Sequence, residues 1–300
     1  MSLKSKKPWL LYALTTTIFW GVWGAFTGIP SENGFPDTMI YCVWSLTMVP
    51  PALFVLKKAG WNLFMDKKSI RNGMLIGLLG AGGQMILFYT VTIGPTYLIF
   101  PIISLSPLVT ILLSIVFLKE RTGKLGVLGI VLAILALPLF DYSGTTEGEV
   151  DKGALWFIMS ILILIAWGVQ AYFMKHANKS MNAESIFFYM TVSGIMLIPV
   201  AVYMTDFSQD INWGADGPYL AAVIQILNAI GALCLVYAFR YGKALVVSPM
   251  TNAGAPLITS IISMVILGTV PGNYKIIGIV LAILAAFLLA VEPEEGERTE

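Results

Sequence analysis

Over 300 residues this chain is 57% hydrophobic and 12% charged, with a net charge of +1. A soluble domain carries about 25% charged residues, so water is not its main solvent, and near neutrality leaves no electrostatic footprint for a nucleic-acid partner. Apolar stretches approach the roughly 20 residues that an α-helix needs to cross the hydrocarbon, and they recur from end to end.

The first predicted span, near Trp9–Gly28, follows a lysine-rich start and is too long for the apolar part of a cleaved signal. Thr16, Trp20, Trp23 and Thr27 are spaced four, three and four, which puts two indoles and two hydroxyls on one stripe. Trp20 and Trp23 lie deeper than the interfacial belt that suits Trp9, so the stripe reads as a cavity wall, with packing as the alternative. A second span near Asp37–Leu56 opens on a carboxylate suited to a helix amino end. The third, near Gly73–Thr92, carries Gln84 after the glycines 80, 82 and 83.

Span four, near Thr96–Leu118, holds Pro101, Ser104, Ser106 and Pro107, and is predicted to be interrupted there because proline removes a helical hydrogen bond. Span five, near Leu125–Phe140, contains Gly129-Ile-Val-Leu-Ala-Ile-Leu135, with Gly129 and Ala133 four apart, a pattern for close helix packing. Span six, near Ala154–Met174, carries Trp167 and Gln170 on one face and ends beside His176, which reads as an interface residue. Span seven, near Ala183–Met204, begins with Glu184, read as a cap like Asp37. Span eight, near Tyr219–Arg240, contributes the amides Gln225 and Asn228. Span nine, near Ala244–Leu267, repeats the prolines of span four as Pro249 and Pro256, with Thr251 and Asn252 between them. Span ten, near Ile276–Val291, repeats the heptapeptide of span five letter for letter at Gly278–Leu284.

Pro107, Leu108, Thr110, Ser114, Val116 and Leu118 also match Pro256, Leu257, Thr259, Ser263, Val265 and Leu267 at that offset of 149 residues. The chain therefore reads as two homologous halves of five spans, 1–145 and 146–300, the second ending in a short acidic tail. Five is odd, so the halves form an inverted repeat, the architecture that supports alternating access to a site at their interface. With the amino terminus cytoplasmic, 16 of the 18 Lys and Arg fall on the cytoplasmic side, leaving only Lys152 and Lys275 outside. Both termini are then cytoplasmic.

No Lys, Arg, Asp or Glu lies well inside a span, so no intramembrane proton relay is predicted. Cys42 and Cys234 have neither metal nor redox spacing. No catalytic residue, metal or cofactor is expected, and an intramembrane enzyme would need a nucleophile and base that the spans do not supply.

Phe19-Trp20-Gly21, Trp167-Gly168, and above all Ser106-Pro107-Leu108 leading to Phe117-Leu118-Lys119-Glu120-Arg121 and Gly129, resemble the EamA-type drug/metabolite transporter superfamily. Ala255-Pro256-Leu257, Leu267-Gly268 and Gly278 repeat the pattern, with Thr269 where members often carry Glu. The resemblance implies an all-α membrane protein of ten helices that performs secondary transport of small organic solutes, often export, with sugar or nucleotide-sugar carriage in relatives. Indole faces plus amides, without fixed charge, suit a small polar or amphipathic metabolite carried across the cytoplasmic membrane. An organic-cation or multidrug exporter is the alternative through cation–π attraction, ahead of a channel or a receptor. The expected substrate site comprises Thr16, Trp20, Trp23, Gln84, Trp167, Gln170, Asn228 and Asn252, and the expected hinges are Pro101, Pro107, Pro249 and Pro256. The expected partners are the solute, the bilayer, and a second copy through spans five and ten. The identity of the solute, its coupling ion and the oligomeric state are not legible.

Overall fold

A computed structural model describes residues 7–93, 99, 102–103, 105–141, 155–267 and 272–291, and among these every regular element is helical. Helix α1 (Pro8–Phe26) starts with proline in its first turn, where no intrahelical N–H is needed. It is followed by α2 (Asp37–Lys58), α3 (Lys67–Ile93), α4 (Ser106–Leu118), α5 (Lys124–Asp141), α6 (Leu155–Ala177), α7 (Ala183–Met204), α8 (Ala215–Tyr241), α9 (Ala244–Leu267) and α10 (Asn273–Val291). By length and composition, five of the described helices can cross a membrane: α1 with its extension to Glu32, α2, α6, α7 and α8.

Two helices are broken at matching places that the sequence reading passed over. Helix α2 is interrupted at Met48 before Pro50, and α7 at Leu197 before Pro199. Each proline takes an early position in the next segment, where its missing N–H costs little.

Large apolar side chains fill the interior and also cover the outer surfaces of the helices, and that second feature is foreign to a water-soluble bundle. Phe117 is 64% exposed, Val223 67% and Phe287 63%, whereas Thr16, Ser45, Thr110, Ser160, Ser193 and Thr251 are buried between helices. Large aliphatic and aromatic groups face outward, as side chains do toward lipid, and small residues sit where backbones approach.

Glycines set the closest crossings. In α1, a Cβ on Gly21 would lie 2.4 Å from Ile258 Cβ and 3.0 Å from the Ala255 carbonyl of α9. In α6, a Cβ on Gly168 would lie 2.5 Å from Val109 Cβ and 2.7 Å from the Ser106 carbonyl of α4. These are the same contact made twice, because Ser106 and Val109 stand 149 residues before Ala255 and Ile258. Thr259 Oγ1 donates to the Gly21 carbonyl at 2.8 Å, and Thr110 Oγ1 to the Gly168 carbonyl at 3.1 Å.

Helices α5 and α10 pair in the same reciprocal way. Gly129 faces Leu289 and the Ala285 carbonyl, while Gly278 faces Leu139 and the Ala136 carbonyl. The pairing is antiparallel, with Ala133, Ala136, Ala282 and Ala285 buried along it. The small-residue stripe thus pairs these two helices within the chain.

Gly21→Val should lower the melting temperature of the detergent-purified protein, because α1 must back away from α9 backbone, an overpacking cost of about 1–3 kcal/mol. Gly82→Ala, whose Cβ would meet nothing within 4 Å, should melt near the wild type. Equal melting of Gly21→Val and wild type would contradict the crossing.

Candidate functional site

The polar residues of α1 do not line an open wall uniformly; most are seated on α8. Thr16 is fully buried and its hydroxyl donates to the Gly231 carbonyl at 3.0 Å. Trp20 is half-buried, its indole N–H donates to the Asn228 carbonyl at 3.3 Å, and its ring occupies the space that a Cβ on Gly231 would need. One turn on, the Trp23 indole donates to Gln225 Oε1 at 3.0 Å, and Gln225 Nε2 donates to Thr27 Oγ1 at 3.2 Å. The predicted stripe exists, and it is a seam of hydrogen bonds across an antiparallel helix pair.

Trp167 repeats the arrangement from the other half. Its indole donates to the Gly80 carbonyl of α3 at 3.3 Å, and its ring fills the space beside Gly83. The amide of Gln170 lies against Gly80, where a Cβ would approach Nε2 to 2.2 Å. Gly80 and Gly83 therefore play toward Trp167 the part that Asn228 and Gly231 play toward Trp20. Among the described residues the side chains of Gln84 and Gln170 make no hydrogen bond, and neither is buried without a partner, so both open onto accessible space. Asn252 is tied to its own helix, donating to the Ser248 carbonyl at 2.9 Å.

Trp44 joins this constellation without having been singled out. It reaches across from α2, its indole donating to Asn228 Oδ1 at 3.2 Å, and its ring is tilted on Tyr41 at 5.3 Å. Its depth in span two, seven residues beyond Asp37, is the same signal that marked Trp20.

Several expectations change. Glu184 does not cap α7: Asn182 does, accepting from Ser185 N–H at 2.9 Å, which frees the Glu184 carboxylate to accept from Tyr237 O–H of α8 at 2.6 Å. Tyr237 stacks on Tyr12 of α1 with centroids 4.9 Å apart. Asp37 does occupy the first turn of its helix, without a side-chain cap bond. His176, half-buried, stacks on Tyr172. The paired interruption by prolines is not symmetric. Leu105 forms a turn and α4 restarts at Ser106 with Pro107 in its first turn, whereas α9 runs helical through positions 249 and 256. The broken partner is free to restart because Pro107 falls where a helix tolerates it. Pro101 lies outside the described residues.

A second polar cluster ties the ends of α4, α6 and α9 together. After a π-helical turn at Ser114–Leu118, Lys119 takes a left-handed backbone (φ 56°) that ends α4 and turns Glu120 toward α9. There the carboxylate accepts from Leu245 N–H at 3.1 Å, while Lys243 Nζ donates to the Arg121 carbonyl at 2.6 Å and Lys175 to the Gly242 carbonyl. Burial holds the Glu120 carboxyl above the usual carboxylate range, opposed by the Leu245 N–H and the Lys175 charge.

Comparison with known proteins supplies the family. The model of the EamA-like transporter family matches twice, over residues 7–140 and 152–291. The chain belongs to the EamA-like transporter family. Together with the apolar helices this makes it a multi-pass membrane protein of the drug/metabolite transporter type, a family of transporters rather than enzymes. An uncharacterized protein of Methanocaldococcus jannaschii is 27% identical over 134 residues, which are 45% of this chain and 96% of that protein. Protein LicB of Haemophilus influenzae is 25% identical over 143 residues, 47% of each chain. A solved crystal structure shares the fold with a TM-score of 0.78 at 14% identity, covering 95% of this chain and 96% of that one.

Two outcomes follow from these contacts. Trp20→Ala and Trp167→Ala should each destabilise the unliganded protein by roughly 2 kcal/mol, less than the ~3–5 for a fully buried indole, whereas Gln170→Ala should melt like the wild type; thermal melts in detergent decide. The second concerns Glu120. Its upward shift means that the folded chain binds the proton more tightly than the unfolded one, so stability falls as pH rises from the ordinary carboxylate range through the raised value. Glu120→Gln keeps an acceptor for Leu245 N–H without charge and should flatten the melting-temperature slope between about pH 4 and 7. Parallel slopes would show that the carboxyl does not titrate in this window.

Proposed function

We propose that the protein is a secondary carrier that moves a small polar or amphipathic organic metabolite across the cytoplasmic membrane by alternating access, with export as its direction. In this reading ten membrane helices form two inverted five-helix repeats, residues 1–145 and 146–300, with both termini cytoplasmic.

One observation carries the reading: the first helix of each half is seated in the third and fourth helices of the other half by the same contacts. Trp20 and Gly21 meet α8 and α9; Trp167 and Gly168 meet α3 and α4. Two copies of one unit that exchange their first helices have two arrangements of comparable energy, one open to each side, with the solute held between them. A relative matched over 96% of its length by 134 residues supports the half as a unit in its own right. The solute site in this reading lies among Thr16, Trp20, Trp23, Gln84, Trp167, Gln170, Asn228 and Asn252. Pro101, Pro107, Pro249 and Pro256 are its pivots.

Single cysteines replacing Asp210 and Lys67, introduced in intact cells, test the topology: the first should react with an impermeant reagent added outside and the second should not. The reverse pattern sinks the inverted-repeat reading. A thermal-shift screen of metabolites on the purified protein, followed by counterflow in proteoliposomes, tests carriage. Saturable counterflow is expected, and linear flux without exchange would point to a channel instead. Pro107→Ala should change turnover more than affinity, since it alters the balance of states rather than contacts to the solute.

A further inference from the structure

The four deep indoles consume the acceptors of the site. An indole N–H can only donate. Trp20 takes the Asn228 carbonyl, Trp167 the Gly80 carbonyl, Trp44 the Asn228 Oδ1 and Trp23 the Gln225 Oε1. The amide orientation of both side chains on α8 follows from chemistry alone, because the atom facing an indole N–H must be oxygen. What remains on Asn228 is its NH2 group. It makes no hydrogen bond among the described residues and is not buried without a partner, so it opens onto accessible space. Gln225 Nε2 is half used by Thr27 Oγ1, and that hydroxyl, having accepted, keeps its own proton to donate.

This donor set is one-sided. By the register of the two Trp contacts, Gly80 and Gly77 of α3 stand where α8 carries Asn228 and Gln225. The fold offers the same scaffold in both halves, and at these two positions only α8 carries amides. A ligand bound between them therefore meets two different surroundings, the α8 amide nitrogens fixed by Trp44 and Trp23 on one side and the Trp167 indole with the Gln84 and Gln170 amides on the other.

We propose that the Asn228 amide nitrogen, held in place by Trp44, binds a hydrogen-bond acceptor of the transported solute, so that the carrier selects solutes with a carboxylate or carbonyl end over bare amines. The inference rests on the carrier reading and specifies its substrate class. Neutral amide dipoles can do this without Lys or Arg because a hydrogen bond is electrostatically stronger in low dielectric than in water. Asn228 acts by direct contact, and Trp44 is a positioning residue.

Matched probes that differ only at the acceptor end decide the matter: phenylalanine, phenylalaninol and phenethylamine, then leucine, leucinol and isoamylamine. Affinity is read on the purified full-length protein by ligand-induced thermal stabilisation. The amino acids should bind at least about ten-fold more tightly than the amines, the worth of roughly one hydrogen bond to a charged group. Asn228→Asp, which still accepts from Trp44 but offers no donor, should reverse that order; Trp44→Phe, which releases the amide to rotate, should shrink the preference without reversing it. Should Asn228→Asp not fold, Asn228→Leu serves in its place and should abolish the preference. Amines that bind the wild type as tightly as the acids, or an order unchanged in the variants, overturn the donor assignment while the carrier reading stands. No stabilisation by any of the six overturns the acceptor-end class, and the carrier reading is then judged by the wider metabolite screen.

Discussion

Polar groups inside hydrocarbon must find partners among themselves, and in this chain the partner of choice is the backbone of a neighbouring helix. Thr16, Trp20, Thr110, Trp167 and Thr259 each donate to a main-chain carbonyl of another helix. A helical carbonyl is already engaged along its own ladder, so a second donor reaches it only where the helix surface is bare. Glycines 21, 80, 168 and 231 lie at those crossings. The hydrogen bond and the glycine are thus one device: the small residue admits the side chain, and the donor holds the two helices at that separation.

The rest of the arrangement depends on that device. Because it fastens α1 to α8 and α9, and α6 to α3 and α4, neither half closes on itself. The antiparallel pair α5 and α10 packs through alanines and glycines in a separate cluster, so it braces the bundle without contributing amides or indoles. At the ends, contacts between the halves are polar: Asn182 Nδ2 donates to the Asn62 carbonyl, and Asn212 Nδ2 to the Asn33 carbonyl. Such contacts exchange readily with water, whereas the Trp seams in the middle do not.

In the proposed carrier, selectivity is a matter of what the seams leave over. Satisfying four indole donors removes four acceptors, and the amides that supply two of them are left with their nitrogens. Side chains that look like generic polarity when counted become directional once their partners are known. The Glu120 cluster is a different kind of residue group. It caps α9 from the loop after α4, and the equivalent position of the second half is Thr269, so the two ends of the molecule are not chemically equivalent even where the scaffold repeats.

The sequence by itself determined the solvent, the helical class and the duplicated pattern, because hydrophobic length and a letter-for-letter repeat are local or linear properties. It also picked out Trp20, Trp23, Trp167, Gln170 and Asn228 from depth and helical spacing. Tertiary structure alone decided what those residues do. Whether an indole faces a cavity or a glycine on another helix depends on which helices are neighbours, and spacing along one helix carries no information about that. The same limit hid Trp44, whose partner is 184 residues away, and misassigned Glu184, whose carboxylate left its own helix end for Tyr237. It also hid the difference between α4, which breaks ahead of Pro107, and α9, which runs on through its prolines, since a proline's effect is set by the packing around it as much as by its missing N–H.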